Sequence, residues 1–576
     1  MASADHAALT ALADALCAGG VESVCLAPGS RSGPVALALS RHPRLVVTTH
    51  LDERSMGYFA LGLAKQSRRP VAVLTTSGTA AANLLPAVAE AGHAQVPLVV
   101  LTADRPPEAH GVGAPQTISQ SRLFGDQVLG AWEIFADGLP GDDHGLFASF
   151  VTAKALAVAQ GAPMGPVQIN LPLREPLFAQ ASSVVETSAQ VLWGSAVSTP
   201  TATTVAAALG RLAGRRGLIV AGPLPSQVDG RPLLALARAL GWPIAVDPLS
   251  QLRTGPAPGA FRIAHYDLFL RQPGVRQRLR PEVLLLAGGA PVSAALLRCL
   301  VEWKDVPRVW LADATGWPDP GLGEGLVVMG ELGPTAQALA KRVRARPSAR
   351  WAERWQAVDQ ATWQVVRSQC RTALGELSAA LALKGVLGAG RPLVVGNSMP
   401  IRDLDATWPS GGRPVEIFAN RGVSGIDGVT SMALGVASAG TRPTLLIGDV
   451  SFLHDQSALL TARRLGLPLR VVLIQNDGGG IFSMLPQAAA PEFETVFATP
   501  HGQSFPELIA AWGGRFRQVR TLAGLRQALN ASEAEPGLRV IEVKSDRAAN
   551  LAIHQALWQE AGTAALAALR EFSDGV

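Results

Sequence analysis

Residues 444–480, "TLLIGDVSFLHDQSALLTARRLGLPLRVVLIQNDGGG", decide how the rest of the chain is read. An apolar run ends at Gly448 and Asp449. A helical pattern follows from about Asp455 to Leu465, and a second apolar run ends at Asn476, just before Asp477 and three glycines. Strand, helix, strand is the repeating unit of a parallel sheet. Both polar ends then fall on one edge, beyond the carboxyl ends of the strands, where open α/β sheets hold their ligands. Asp449 and Asn476 are expected at the tips of neighbouring strands. A carboxylate, an amide oxygen and a glycine-loop carbonyl at Gly478 are hard oxygen donors suited to Mg2+ that also grips a diphosphate. Glycines let backbone N–H groups close on phosphate oxygens. Two ordinary strand-end turns would read the same way, because Asn-Asp-Gly also favours tight turns.

The pattern extends outward through the chain. Its 576 residues suit three or four domains of ~150 residues. Apolar runs alternate with helical segments over the first 180 residues: "VESVCLA", "RLVVTTH", "PVAVLTT", "PLVVLTA" and "GPVQINLPL" are expected strands. Residues 177–200 lose periodicity, gain Ser and Thr, and read as a linker. "RGLIVAGPLP", "WPIAVDPLS", "PEVLLLAGGAP" and "RVWLADAT" mark a second α/β unit, and residues 334–380 read as a helical connection around its outside. "RPLVVGNS" and "PVEIFANRG" join the opening stretch in a third unit, laid out like the first as if duplicated. The expected fold is therefore α/β, with doubly wound parallel-sheet domains at 1–180, 200–335 and 385–576.

Composition narrows the function. Hydrophobic residues make up 48% and charged residues 16%, enough to bury large cores. The net charge of +5 is mild for this length, and the arginines are scattered without interleaved aromatics, which argues against nucleic acid. Cys17, Cys25, Cys299 and Cys370 have no CxxC spacing and read as free thiols in a reducing compartment. With no signal-peptide pattern and no unbroken apolar run of ~18 residues, a cytoplasmic protein without a membrane span is expected.

A second stretch, "HLDERSMGYFALGLAK" at 50–65, sets Asp52, Glu53 and Arg54 where a strand hands over to a buried helix. Asp52 could simply cap that helix. The Asp449–Asn476 pair, with 26 residues between them, resembles the thiamine diphosphate motif usually written GDG followed by NN, with Val450 and Gln475 departing from it. Those departures match the menaquinone-pathway synthases that make 2-succinyl-5-enolpyruvyl-6-hydroxy-3-cyclohexene-1-carboxylate. The resemblance spans residues 27–125 and 394–487 and rests on "APGSRSGPVALAL", the DER block, "TTSGTAAANLLPAVAEA", "LTADRPPEAHGVGAPQTI", "GNSMPIRDLD", "NRGVSGIDG", "GDVSFLHD" and "NDGGGIFSMLPQ".

The resemblance implies thiamine diphosphate and Mg2+ or Mn2+ as cofactors, and domains of the thiamine diphosphate-binding type. Glu53 would hydrogen-bond the aminopyrimidine N1′ from a buried position and drive the imino tautomer that deprotonates C2. Ser77, Gly78, Asn83, Ile426, Gly448, Asp449, Asn476, Gly478, Gly479 and Ile481 would complete the cofactor site, Ile426 keeping the cofactor bent. The metal would take Asp449, Asn476 and Gly478. Glu53 and Asp449 would come from different subunits, implying a homodimer or dimer of dimers with its site at the interface. The implied transferase reaction is decarboxylation of 2-oxoglutarate and conjugate addition of the resulting carbanion to isochorismate.

These substrates carry several carboxylates, which suit guanidinium groups. Arg31, Arg105, Arg402 and Arg421 all fall in expected strand-end loops. The family assigns substrate contact to these blocks, with Ser30 or Ser32, Gln116 and Ser398, and Phe482 joins Ile481 as an apolar wall. Pro115 stands where many relatives carry Asn, and Ala294 and Ala295 where some carry basic residues, with Arg298 a turn further on. Two other readings stay open: another thiamine-dependent carboligase of the acetohydroxyacid synthase kind, and a non-catalytic nucleotide-binding α/β protein using the "IVAGPLPS" and "LLAGGAP" turns. His50 is close enough in sequence to tune the field at Glu53, and His110, His454 and His501 read as surface or packing residues.

Overall fold

In the computed structural model, every apolar run named above forms a strand, and all named strand pairs are parallel. The structure describes residues 2–135, 144–175, 177, 194, 197–313, 318–347, 349–388, 390–531 and 537–572. Most of the 177–200 linker lies outside the described residues. Strand Gly217–Ala221 shows why the runs are apolar throughout. Leu218 and Val220 belong to one core and Ile219 and Ala221 to another, so successive side chains are buried on opposite faces.

Three six-stranded sheets result. Across the first, the strands run Val46–Thr49, Ser23–Leu26, Val71–Thr75, Leu98–Asp104, Val167–Pro172, Ala131–Glu133. Across the third they run Ile417–Phe418, Leu393–Val395, Thr444–Gly448, Leu469–Gln475, Leu538–Lys544, Arg515–Val519. Numbered along the chain within each sheet, both orders are 2-1-3-4-6-5, the duplication suggested by the sequence. The middle sheet runs Gly325–Met329, Arg308–Ala312, Val283–Ala287, Gly217–Ala221, Pro243–Val246, Phe261–Ile263, which is the doubly wound 3-2-1-4-5-6 order read from its other edge.

In the first and third sheets the order reverses between strands 1 and 3. The loops there begin at residues 27 and 76 in the first sheet, and at residues 396 and 449 in the third. Such switch points open a crevice beyond the carboxyl ends. The middle sheet has its own switch point at the "AGP" and "GGAP" turns, and there the turns bond to each other. Gly222 N donates to Ala287 O at 2.9 Å, Gly289 N donates to Pro223 O at 2.8 Å, and a Cβ on Gly222 would stand 1.8 Å from Gly289 O. Backbone fills the place a nucleotide would take.

The chain forms two compact units, 1–196 with 420–440 and 455–467, and 197–419 with 441–454 and 468–576. Within the first, helix Glu53–Ser67 meets helix Val429–Ser438 at a spacing only glycine permits. A Cβ on Gly62 would stand 2.0 Å from Met432 O, and one on Gly435 would stand 1.9 Å from Phe59 O.

The expectation for residues 334–380 needs correcting. Helix Arg350–Gln369 buries Trp351, Trp355, Val358, Thr362 and Val366, and the first three of these join the core of the second sheet. Its apolar residues recur every three or four positions, so it is core rather than an outer strap. Four strands absent from the sequence reading, Ala131–Glu133, Phe261–Ile263, Gly325–Met329 and Arg515–Val519, lie at sheet edges. An edge strand needs no continuous apolar run. The fifth, Leu538–Lys544, is internal but interrupts its apolar residues with Arg539, Glu542 and Lys544.

Candidate active site

The DER block resolves into two roles. Asp52 is the N-cap of helix Glu53–Ser67: its carboxylate accepts the N–H of Arg54 at 2.9 Å and of Ser55 at 3.2 Å, and also the Ser457 hydroxyl at 2.6 Å. Glu53 is thereby spared capping duty. It is half-buried, with Asn83 Nδ2 donating to its Oε2 at 3.4 Å. The expectation of a buried Glu53 is corrected for the single chain, because the first helical residue faces the open edge of the sheet. His50 is buried, stacks edge-on against Phe59 at 4.6 Å, and has its pKa lowered to about 4 by burial and by Arg464. A neutral imidazole adds no charge near the block, so its expected influence on the field at Glu53 is absent at neutral pH.

At the switch point of the first sheet, Gly29 and Thr76 approach so closely that a Cβ on the glycine would stand 2.3 Å from Thr76 Cβ. Ser77 is buried and its hydroxyl has no hydrogen-bond partner among the described residues. Gly78, at φ +83°, donates its N–H to Gln120 Oε1 at 2.8 Å, and Gln116 Nε2 donates to Ser77 O at 3.0 Å. Gln120 ties this turn to a buried polar chain that the sequence reading missed. Its Nε2 donates to Ala103 O at 3.2 Å, Thr102 Oγ1 donates to Asn170 Oδ1 at 2.8 Å, and Asn170 Nδ2 donates to Asp104 Oδ2 at 2.9 Å. These residues lie inside apolar-looking strands, where only the polar letters in "VLTAD" and "VQINLP" hint at them. Asp104 in turn accepts the Arg105 N–H at 2.7 Å, so the chain ends at a loop arginine.

The anion-binding candidates differ in readiness. Arg31 is buried, donating from Nη1 to Leu173 O at 2.8 Å, with Glu175 at 3.5 Å from Nη2. Burial, and then the like charge of Arg105, disfavour its cation. The Nε of Arg31 and that of Arg105 are each buried with no hydrogen-bond partner among the described residues. Ser32 is buried and donates to Gly29 O at 3.1 Å, while Ser30 and Gln116 are exposed. Arg421 and Ile426 are half-buried in the same unit. In the other unit Ser398 takes φ +67° ahead of helix Met399–Thr407, and Arg402 folds back to donate to Ser398 O. Pro115 and Arg298 are exposed, and Ala295 is core.

The opening stretch builds the most committed constellation. Strands Thr444–Gly448 and Leu469–Gln475 are direct neighbours with Gly448 opposite Ile474, which puts Asp449 beside Asn476. Asp449 is 2% exposed. Its Oδ2 accepts the N–H groups of Asn476 at 3.0 Å, Asp477 at 2.7 Å and Gly478 at 3.3 Å, and its Oδ1 accepts Val450 N–H at 2.7 Å. Gly478 is at φ +137°, and a Cβ there would stand 2.1 Å from Ala498 O, so no other residue fits. Gly479 N donates to Ala498 O at 2.7 Å, and Gly478 O accepts Gly480 N at 2.9 Å. Ile481 and Phe482 follow on a 3-10 turn, half-buried, with Phe482 5.8 Å from Phe497.

Two neighbours of this cradle escaped the sequence reading. Glu376, 2% exposed, accepts Asn476 Nδ2 at 3.0 Å. Its pKa is raised to about 7, by burial first and then by Asp403, whose carboxylate pairs with His554 at 2.9 Å. His501 Nε2 lies 3.2 Å from Asp449 Oδ2, so this histidine belongs to the cradle and is not a surface residue. These groups come from distant segments, and spacing could not have joined them.

The cradle fits a hard cation. Asn476 Oδ1 is buried with no donor among the described residues, and the amide's NH2 side is taken by Glu376. A buried amide oxygen left without a partner costs about 1–3 kcal/mol unless something polar meets it. Among the described residues no three His, Cys, Asp or Glu side chains converge as a metal site. The donor set is therefore one carboxylate, one amide oxygen and backbone carbonyls, which suits Mg2+ or Mn2+ better than zinc.

Comparison with known proteins agrees with this geometry. Family models match in succession: the N-terminal TPP binding domain of thiamine pyrophosphate enzymes over residues 7–123, the thiamine pyrophosphate middle domain over 187–395, and the C-terminal TPP binding domain over 412–543. A 2-succinyl-5-enolpyruvyl-6-hydroxy-3-cyclohexene-1-carboxylate synthase from Geobacillus thermodenitrificans is 41% identical over 566 residues, covering 96% of this chain and 95% of the relative. One of the same name from Chloroflexus aurantiacus is 41% identical over 571 residues, with 96% and 95% covered. An X-ray structure from Mycobacterium smegmatis, provisionally described as a thiamin diphosphate-dependent enzyme, superimposes with a TM-score of 0.70 at 19% identity. That superposition covers 92% of this chain and 98% of the other and speaks to the fold alone.

Proposed function

The chain belongs to the 2-succinyl-5-enolpyruvyl-6-hydroxy-3-cyclohexene-1-carboxylate synthases, and from that premise we propose how its residues divide the work. It is a thiamine diphosphate-dependent transferase joining 2-oxoglutarate to isochorismate with loss of CO2. Among the described residues no helix is long and apolar enough to cross a membrane. Residues 1–180 bind the pyrimidine, 200–335 form the central domain, and 385–576 bind the diphosphate and its metal.

The observation that carries this reading is the buried Asp449 beside an Asn476 amide oxygen with no donor among the described residues. Asp449, Asn476 and the Gly478 carbonyl hold the Mg2+ or Mn2+ that anchors the diphosphate, with Gly448 and Gly479 shaping the approach. Thiamine diphosphate, when bound, supplies the electron sink for losing CO2 and forming the new carbon–carbon bond. Glu53 holds the proton shared with the pyrimidine N1′, Asn83 orients Glu53, and Ser77 and Gly78 border the same ring. Ile426 would keep the cofactor bent, and Ile481 would give it an apolar wall. Arg31, Arg105, Arg402 and Arg421 receive substrate carboxylates, Ser30, Ser32, Gln116 and Ser398 add hydrogen bonds, and Phe482 walls the pocket. Support for the anion role is that the charge of Arg105 reaches Arg31, and that the Nε of each is buried with no hydrogen-bond partner among the described residues. Glu53 and Asp449 serve one site from two protomers, so the working form is at least a dimer, and the enzyme acts in the cytoplasm.

Incubation of the enzyme with thiamine diphosphate, Mg2+, 2-oxoglutarate and isochorismate tests the reading by product mass and CO2 release. The expected product carries the succinyl unit. Activity with pyruvate alone would assign the chain to the acetohydroxyacid synthase kind.

A further inference from the structure

The segment "NRGVSGIDG" at 420–428 carries Arg421 and Ile426, yet its backbone has no strand or helix of its own to hold it. Two side chains from helices of the same compact unit grip it at opposite ends. At the start, Glu90 on helix Leu85–His93 is fully buried, and its carboxylate spans two consecutive backbone donors: Oε1 accepts Gly422 N–H at 2.8 Å and Oε2 accepts Val423 N–H at 2.8 Å. Lys65, also buried, stands 3.8 Å from Oε1 and balances the charge. The approach is so close that a Cβ on Gly422 would lie 2.7 Å from Glu90 O. At the far end, Tyr58 on helix Glu53–Ser67 donates its hydroxyl to Asp427 Oδ2 at 2.8 Å, and Gly428, at φ +64°, lies flat on the tyrosine ring.

Burying a carboxylate is expensive unless its oxygens are satisfied. Here both oxygens are satisfied by the loop. We propose that Glu90 and Tyr58 are positioning residues that clamp the 420–428 loop and so present Arg421 and Ile426 to the reaction. This rests on the reading of those two residues as site residues. Both groups lie within the sequence blocks quoted above, yet they act through the loop's backbone and not on substrate.

The test uses the full-length chain. Glu90→Gln keeps the side chain's size but turns one acceptor into a donor facing a backbone N–H. Hydrogen–deuterium exchange of the apo protein should show faster exchange confined to the peptide covering 420–428, with helices 53–67 and 85–93 unchanged. In the holoenzyme, kcat/KM for 2-oxoglutarate should fall at least ~10-fold, the scale on which misplacing a positioning element acts. Exchange at the wild-type rate overturns the clamp, as does an unchanged kcat/KM. Exchange accelerated across the whole first unit overturns it too, by making Glu90 a structural acid only. Should Glu90→Gln not fold, Tyr58→Phe, which deletes one hydroxyl, carries the same measurements from the other end. Arg421→Ala and Ile426→Ala test the underlying reading separately. Full kcat/KM in both would sink the loop's assignment, while the exchange data would still judge the clamp.

Discussion

At the scale of single residues, adjacent carboxylates do different things because their hydrogen-bond partners differ. Asp52 is consumed by the helix N-terminus and Ser457, whereas among the described residues Glu53 meets only the Asn83 amide. Glu53→Gln should therefore fold and bind cofactor as before but turn over at least ~10²-fold more slowly, the scale of losing a proton-transfer group. Steady-state kinetics beside a thiamine diphosphate titration check this, and near-normal turnover refutes the role. Asp449 organises three consecutive backbone N–H groups and faces Asn476. Asp449→Ala should weaken Mg2+-dependent cofactor binding in calorimetric titration; an unchanged affinity would mean other ligands hold the metal. The four cysteines need no such role: burial pushes the Cys25, Cys299 and Cys370 thiols up to about 12 and Cys17 to about 11, which keeps them protonated and inert.

At the scale of elements, the crossing of helices Glu53–Ser67 and Val429–Ser438 sets the geometry of the first unit. Gly62→Ala forces a methyl into the Met432 carbonyl and should lower stability by roughly 1–3 kcal/mol, the usual range for overpacking. A lower thermal midpoint without loss of secondary structure would show it. Just beyond this crossing, Asp455 accepts the Ser431 N–H at 2.7 Å and its hydroxyl at 2.8 Å. Burial nonetheless raises the Asp455 carboxyl from 3.8 to about 7. The folded chain then keeps a proton that the unfolded chain has lost between those values. Its contribution is present at the acid end and fades as pH rises from 3.8 to about 7. Asp455→Asn should flatten that part of the thermal midpoint against pH, and an unaltered slope would place the titration elsewhere.

At the scale of the whole molecule, the proposed site needs Glu53 from one chain and Asp449 from another. Glu53→Gln and Asp449→Ala are each expected to be inactive. Refolded as an equal mixture, they should regain about a quarter of wild-type activity, since half the dimers are mixed and each mixed dimer restores one of two sites. No recovery in a mixture shown to exchange subunits would put both residues in one chain's site. The first and third sheets share the order 2-1-3-4-6-5, so each offers a switch-point crevice of the same form. The middle sheet's crevice is closed by its own turns, which removes the basis for reading it as a nucleotide site.

Much of this was legible before any coordinates. A buried parallel strand must be apolar on both faces, so the runs announced the sheets, and the residues just past each run announced the crevice edge. The pairing of Asp449 with Asn476 followed from one strand–helix–strand unit, since a right-handed crossover returns the chain beside its start. Four of the six edge strands were not legible, because half-exposed strands carry no unbroken apolar signal. Residues 350–369 were legible as helix but not as core, because the charged face masked the buried tryptophans. Glu376 against Asn476, His501 against Asp449, Gln120 under Gly78 and Glu90 under Gly422 are contacts between residues 42 to 332 positions apart, further than any spacing rule covers. Local pattern, then, determined which segments form strands and helices and which loops carry the chemistry. Only the folded chain decided which polar groups satisfy one another in its interior, because burial strips away water and leaves each donor or acceptor to whatever distant segment the packing brings within reach.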